Sequence, residues 1–159
     1  MPSSNRPATA AVSPALGAGR AILVMLCDGL GHGPLAEIAA QAAIRALRTG
    51  RSRSPEKAVQ EIHQGLAGTR GAAVAVARIE VDRGRVLFCG VGNRAAAVVT
   101  PASKSSLASQ PGTAGHRIST LRTTAHPPPA GSTLVMHSGG LTQRWNPDLS
   151  PTSLSTPRP

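Results

Sequence analysis

The sequence predicts an α+β fold, with helices packed on one face of antiparallel sheet. Two observations carry this. The element order reads as one apolar strand, two helices and then a run of strands. Tight turns join those later strands, and the turn Asp82-Arg83-Gly84 has Gly where a three-residue hairpin needs a left-handed residue. There is no internal repeat, and 159 residues suffice for one domain with a real core.

Met1 to Gly19 is rich in Ser, Pro and Ala without a period and is expected to be a flexible arm. Arg20 to Cys27 is apolar on both faces, as in a strand covered on both sides. Asp28-Gly29-Leu30-Gly31-His32-Gly33 turns the chain, bringing a carboxylate to a place where backbone can approach a ligand. Pro34 opens the first helix, where its missing N–H costs nothing. The expected buried stripe is Leu35, Ile38, Ala39, Ala42, Ala46 and Leu47. Glu37 near the start and Arg45 and Arg48 near the end suit the helix dipole, and Gly50 stops the helix. Ser54-Pro55-Glu56 caps a second helix to about Leu66, with Ala58, Val59, Ile62 and Leu66 inward.

Gly71 to Val81, Arg85 to Gly90 and Ala95 to Val99 read as strands. Pro101 to Ser109 reads as polar connection and Pro111 to Gly115 as a turn-rich loop. Ile118 to Ala125 reads as a strand, Pro127 to Gly131 as a rigid turn and Ser132 to Ser138 as the last clear strand. Gly139 to Trp145 is expected to start a short helix, and the proline-rich stretch Asn146 to Pro159 to be disordered.

Composition narrows the function classes. The formal charge is +10, from 15 Arg and 2 Lys against 7 acids. The basic residues are scattered and have no aromatic residues between them for base stacking, so a nucleic-acid role is disfavoured. Phe88 and Trp145 are the aromatic residues, leaving Val, Ile, Leu and Ala to fill the core. Cys27 and Cys89 lie inside apolar strands, which points to a reducing compartment and not to a disulfide scaffold. With no apolar run of about 18 residues and no leader-like start, a cytoplasmic location is expected.

Other chemistries fail on spacing. A cysteine phosphatase needs Arg six residues after its Cys, but those positions are Gly33 and Ala95. Gly90-Val91-Gly92-Asn93-Arg94-Ala95 spells GxGxxA, yet no acid follows between Asp82 and Asp148 to meet a ribose. No GxSxG elbow occurs.

Four blocks carry a family resemblance. They are MLCDGLGHGPLAEIA (Met25 to Ala39), TRGAAVAVARIEVDRGRVLFCGVGNRAA (Thr69 to Ala96), PGTAGHRI (Pro111 to Ile118) and PPAGSTLVMHSGGLTQRW (Pro128 to Trp145). In that order they resemble the metal-dependent PP2C-like (PPM) protein phosphatases of the SpoIIE type. The resemblance implies a PP2C-like sandwich of two antiparallel sheets flanked by helices over residues 20–145, between the arm 1–19 and the tail 146–159. It also implies hydrolysis of phosphoserine or phosphothreonine by a hydroxide bridging two Mn2+ or Mg2+ ions. The implied partner is a phosphoprotein such as an anti-sigma factor antagonist, with no membrane involved.

Carried over residue by residue, Asp28 matches the family's bridging aspartate and Gly29 the accompanying backbone carbonyl, while Gly31, His32 and Gly33 shape the loop. The family's second acidic motif, Ser-Asp-Gly-Leu-Thr, stands here as Ser138-Gly139-Gly140-Leu141-Thr142, so Gly139 is a degenerate metal position. Met1 to Gly19 holds no acid for the family's upstream Gly-Asp motif, and the chain ends before the strand that carries the family's last aspartate. Edge strands are therefore expected to be missing at both ends. The acids are Asp28, Glu37, Glu56, Glu61, Glu80, Asp82 and Asp148. Of four family carboxylates only Asp28 is present, so at most one weak site for Mn2+ or Mg2+ is expected. The sequence thus describes a phosphatase of weak or lost activity, a non-catalytic binding module of the same ancestry, or a gene fragment. Asp28 as a simple helix cap, and His32 and His137 as structural residues, are the plainer readings of those side chains.

Overall fold

The computed structural model describes residues 9–14, 20–52, 54–93 and 95–137. Strand β1 (Thr9–Pro14) is followed by β2 (Ala21–Gly29), then by helices α1 (Pro34–Thr49) and α2 (Pro55–Gly65). Strands β3 (Ala72–Glu80), β4 (Arg85–Val91), β5 (Ala95–Thr100) and β6 (Ser103–Leu107) come next. The short β7 (Gly112–Thr113), β8 (Arg117–Ile118) and β9 (Thr124–His126) lead to β10 (Thr133–His137). One sheet has the order β1-β2-β3-β4-β9, a second β10-β5-β6, and β7 pairs with β8. Every ladder between named strands is antiparallel.

The alternation of β2, β3 and β4 builds two cores. Leu23, Met25 and Cys27 on β2, with Val74 and Val76 on β3 and Cys89 and Val91 on β4, face the helices. There they meet Ala39, Ala43 and Leu47 of α1 and Val59 and Ile62 of α2. The opposite face carries Ala75, Ala77, Val86 and Phe88, which pack on Ala96, Val98 and Leu107 of the second sheet. Phe88 is fully buried and is the large side chain that spaces the two sheets. The expected α+β sandwich of antiparallel sheets with flanking helices is thus the observed one.

The small residues of the helical layer have a reason. A Cβ on Gly65 would come within 3.0 Å of the Ala46 Cβ, so α1 and α2 touch through residues with almost no side chain. Ser54 caps α2 as its sequence predicts, its Oγ accepting from the Lys57 N–H at 3.3 Å.

Several expectations are corrected. Thr9–Pro14 lies inside the stretch expected to be a flexible arm, yet it forms β1, pairing with β2 from Thr9↔Cys27 to Pro14↔Ile22. The edge of β2 offers a row of backbone donors and acceptors, and a short polar-to-apolar segment with five N–H groups suffices to engage it. The N-terminal edge strand is therefore present, although its sequence TAAVSP contains no acid.

In α1, Leu35 and Ile38 are 48% and 52% exposed and not part of the buried stripe. The helix begins beyond the end of the sheet, and Ala36 is where it first meets β2, at Gly29. The buried residues of the helix are Ala39, Ala40, Ala42, Ala43, Ile44 and Leu47, with Ala46 packed against the same core, so the expected stripe holds from Ala39 onward.

The polar connection 101–109 contains β6, which completes a hairpin with β5 from Thr100↔Ser103 to Ala96↔Leu107. The strand expected over Ile118 to Ala125 shrinks to β8 and β9, with residues 119–123 between them outside any ladder. Side chains satisfy that segment instead. The Arg122 N–H donates to Gln110 Oε1 at 3.0 Å and the Ser119 hydroxyl to the Pro111 carbonyl at 3.1 Å. The short helix expected over Gly139 to Trp145, the degenerate position Gly139 and the tail 146–159 lie outside the described residues.

Candidate functional site

Asp28 is the penultimate residue of β2 and pairs with Ala73 of β3. Its neighbour Cys27 is fully buried toward the helices, so strand alternation turns the half-buried Asp28 to the face that packs on the second sheet. The β4 end at Val91, the β5 start at Ala95 and the β10 end at His137 lie at this same end of the sandwich, as the antiparallel registers require. The last described residue before the Ser138-Gly139-Gly140 segment thus stands at the Asp28 end.

Glycine is demanded on steric grounds at Gly29, where a Cβ would lie 2.2 Å from the Ala36 carbonyl oxygen. The loop that follows is pinned by the Leu30 N–H donating to the Gly71 carbonyl at 2.9 Å. Gly31 and Gly33 have φ of 80° and 77°, values that L side chains rarely adopt, so the DGLGHG turn needs glycine at both. Gly33 is the N-cap of α1 and its carbonyl accepts the Glu37 N–H at 3.2 Å, with no side-chain cap. The N-cap position is thus held by Gly33 and not by Asp28. His32 is exposed at the tip of the loop. His137, half-buried on β10, alternates with Met136, which faces the inter-sheet core.

The other acids stand elsewhere. Glu80 follows Ala73, the partner of Asp28, by seven residues, about 23 Å of strand. There it accepts from Arg78 Nε at 2.9 Å and from Arg85 Nε, and all three side chains lie on one face of the sheet. The Arg85 bond first, with Arg78 beside it, holds the Glu80 carboxyl below the usual carboxylate range against the opposing effect of burial. Asp82 accepts from the Arg20 backbone N–H at 2.8 Å and from its guanidinium, and is likewise lowered. Glu61 lies against Gly50 beyond the C-terminal end of α1, about 24 Å along that helix from its start. Glu56 opens α2. Glu37, in the first turn of α1, is the acid nearest in sequence to the loop.

Among the described residues no three His, Cys, Asp or Glu side chains come together to hold a metal ion. Among the described residues the donor set at this end does not fit a pair of hard divalent cations, which need several anionic oxygens. Cys27 and Cys89 are buried free thiols. Burial pushes the Cys89 thiol up to about 11, which makes it inert as a nucleophile.

Two features escaped the sequence reading. The Arg78–Glu80–Arg85 group had a signal in the Arg-Ile-Glu spacing, which puts two charges on one strand face. Arg70 had none: its guanidinium lies over Gly31, with Nη1 2.7 Å from where a Cβ would stand, and only the pairing of β2 with β3 brings them together.

Comparison with known proteins agrees with this geometry. The model of the family described as stage II sporulation protein E (SpoIIE) matches residues 18–155. Among curated proteins none matches. A chain from a structure of the bacterial stressosome superposes with a TM-score of 0.75 at 25% identity, over 89% of this chain and 74% of that one. RsbX in complex with magnesium superposes at 0.71 with 20% identity, over 84% and 67% of the two chains. The PP2C phosphatase domain of SpoIIE from Bacillus subtilis gives 0.66 at 19% identity, over 88% of this chain and 44% of that one. A strand-borne aspartate on a DGLGHG turn, a two-sheet core and a family match across residues 18–155 together mean that the chain belongs to the SpoIIE family of PP2C-like phosphatases.

Proposed function

We propose that the chain is a SpoIIE-type module directed at phosphoserine or phosphothreonine on a sigma-factor regulatory protein, with weak or lost turnover. An anti-sigma factor antagonist is the class of partner this reading names, and a cytoplasmic location goes with its two buried free thiols. Among the described residues no helix is long and apolar enough to cross a membrane.

The observation that carries the reading is the distribution of acids. Asp28 stands at the site end, while Glu80 and Asp82 are committed to arginines at the other end of the same sheet. In the family reading Asp28 and the Gly29 carbonyl would hold the metal, and Gly31, His32 and Gly33 would set the loop. Mn2+ or Mg2+, when bound, would supply a hydroxide nucleophile and Lewis-acid charge. With glycine at position 139, Asp28 and one carbonyl neutralise too little charge to hold two such ions, so no hydrolytic step is drawn through them.

The same scarcity of acids at this end, among the described residues, favours a second reading, a non-catalytic module that holds a phosphoprotein without turning it over. A phosphatase assay on a phosphoserine peptide with saturating Mn2+ tests the proposal. The expected rate is more than about tenfold below that of an intact family member. A rate within that factor would overturn the claim of reduced activity.

A further inference from the structure

We propose that Arg70 is the residue by which this site holds a phosphomonoester carried on a protein, and that it does so without metal. The inference rests on the reading of the site as one directed at phosphoproteins.

The argument begins with how Arg70 is held. Its backbone is fixed on both sides. The Thr69 hydroxyl donates to the Leu66 carbonyl at 2.7 Å and accepts the Gly71 N–H at 3.0 Å. The His116 ring donates from Nε2 to the Thr69 carbonyl at 2.8 Å. Gly71 accepts the Leu30 N–H at 2.9 Å, tying the Arg70 segment directly to the loop after Asp28. Gly71 has φ of 79°, and a Cβ there would lie 2.7 Å from the Ala114 carbonyl oxygen, so this anchoring requires glycine.

The side chain, by contrast, has no counter-charge. Among the described residues no carboxylate pairs with the Arg70 guanidinium, whereas Arg20, Arg78 and Arg85 each have one. Arg70 is exposed, and its Nη1 lies over Gly31, where any side chain would displace it. A planar guanidinium with free donors on a rigid backbone suits bidentate recognition of a phosphoryl group.

Electrostatics favours the same conclusion. A site with a full complement of carboxylates repels a phosphate dianion unless cations neutralise it. Here the Arg70 guanidinium lies over Gly31, in the loop that follows Asp28, and supplies positive charge, so an anion needs no divalent ion to be tolerated. Leu30 and Leu35, 43% and 48% exposed on and just after the same loop, add apolar surface for residues flanking a protein-borne phosphate.

The test uses the full chain in EDTA. An alanine-flanked phosphoserine peptide, its unphosphorylated twin and inorganic phosphate are titrated while the backbone amides of Gly31 and Gly71 are followed by NMR. The phosphopeptide is expected to bind at least about tenfold more tightly than its twin, and also more tightly than inorganic phosphate. Arg70→Ala should reduce its affinity to that of the twin, and Arg70→Lys should fall between. Because Arg70 is exposed, both variants should melt as the parent does. Equal binding by parent and Arg70→Ala, equal binding of peptide and twin, or no binding by the parent would overturn the proposal. Tighter binding of inorganic phosphate than of phosphopeptide would restrict the site to a free anion and overturn the protein-borne part. Turnover measured on the same sample with Mn2+ separates the two claims: turnover like that of an intact family member defeats the reading of reduced activity, whereas indifference to Arg70 defeats this inference.

Discussion

The two ends of the five-stranded sheet use charge in opposite ways. At the end where β3 turns into β4, Glu80 sits between Arg78 and Arg85, and Asp82 takes the backbone and side chain of Arg20. Each of those acids has found a cation, and the result is structure. At the other end, about 23 Å away along β3, Asp28 stands beside a glycine-rich turn with an arginine that has no carboxylate among the described residues. The lesson is that an arginine held by a carboxylate stabilises the fold, whereas one with no carboxylate beside it keeps its donors for a ligand.

Breaking the paired end should have the largest effect. Glu80→Gln leaves Arg78 buried without its counter-charge and should cost about 3 kcal/mol in a urea unfolding experiment. The sign with pH follows from the lowered Glu80 carboxyl. Its stabilisation is complete above the ordinary value of 4.5 and is lost as pH falls through the lower folded-state value. The parent should therefore lose stability on acidification below about pH 4.5 more steeply than Glu80→Gln. Parallel curves would show that the triad is not the acid-sensitive element.

At the site end the expected cost is steric. Gly29→Ala drives a methyl group toward the Ala36 carbonyl and should cost about 2 kcal/mol by the same measurement, through displacement of the start of α1. A smaller functional effect is expected from Gly139→Asp. One added carboxylate should raise Mn2+-dependent turnover by less than about tenfold, because the remaining family acids are still wanting. A larger rise would mean that fewer carboxylates suffice than the account requires. The least effect should come from Ile38→Ser. Its side chain is 52% exposed, and stability should change by less than about 0.5 kcal/mol in a thermal melt.

Elements with one strong local signal were legible in the sequence. The continuous apolar run of β2 and the Ser54-Pro55-Glu56 start of α2 needed no tertiary context. The turn at Asp82 to Gly84 was equally clear, since Gly84 has φ of 57°. Elements defined by a partner were not. The sequence of β6, SKSSL, carries no alternation and is a strand because β5 lies beside it. β1 owes its existence to the edge of β2. Leu35 and Ile38 have helical spacing for a core, but the helix starts before the sheet can cover them. Of the site, Asp28 and its glycines were readable from the DGLGHG motif. Arg70 was not, because it stands 39 positions beyond Gly31, the residue it covers, and only the pairing of β2 with β3 brings them together.

The central claim is that the Asp28 end lacks the anionic oxygens to trap two divalent cations. Isothermal titration of the chain with Mn2+ tests it most directly. The account predicts at most one site, with Kd on the order of millimolar and abolished by Asp28→Asn. Two sites with Kd on the order of micromolar would contradict it.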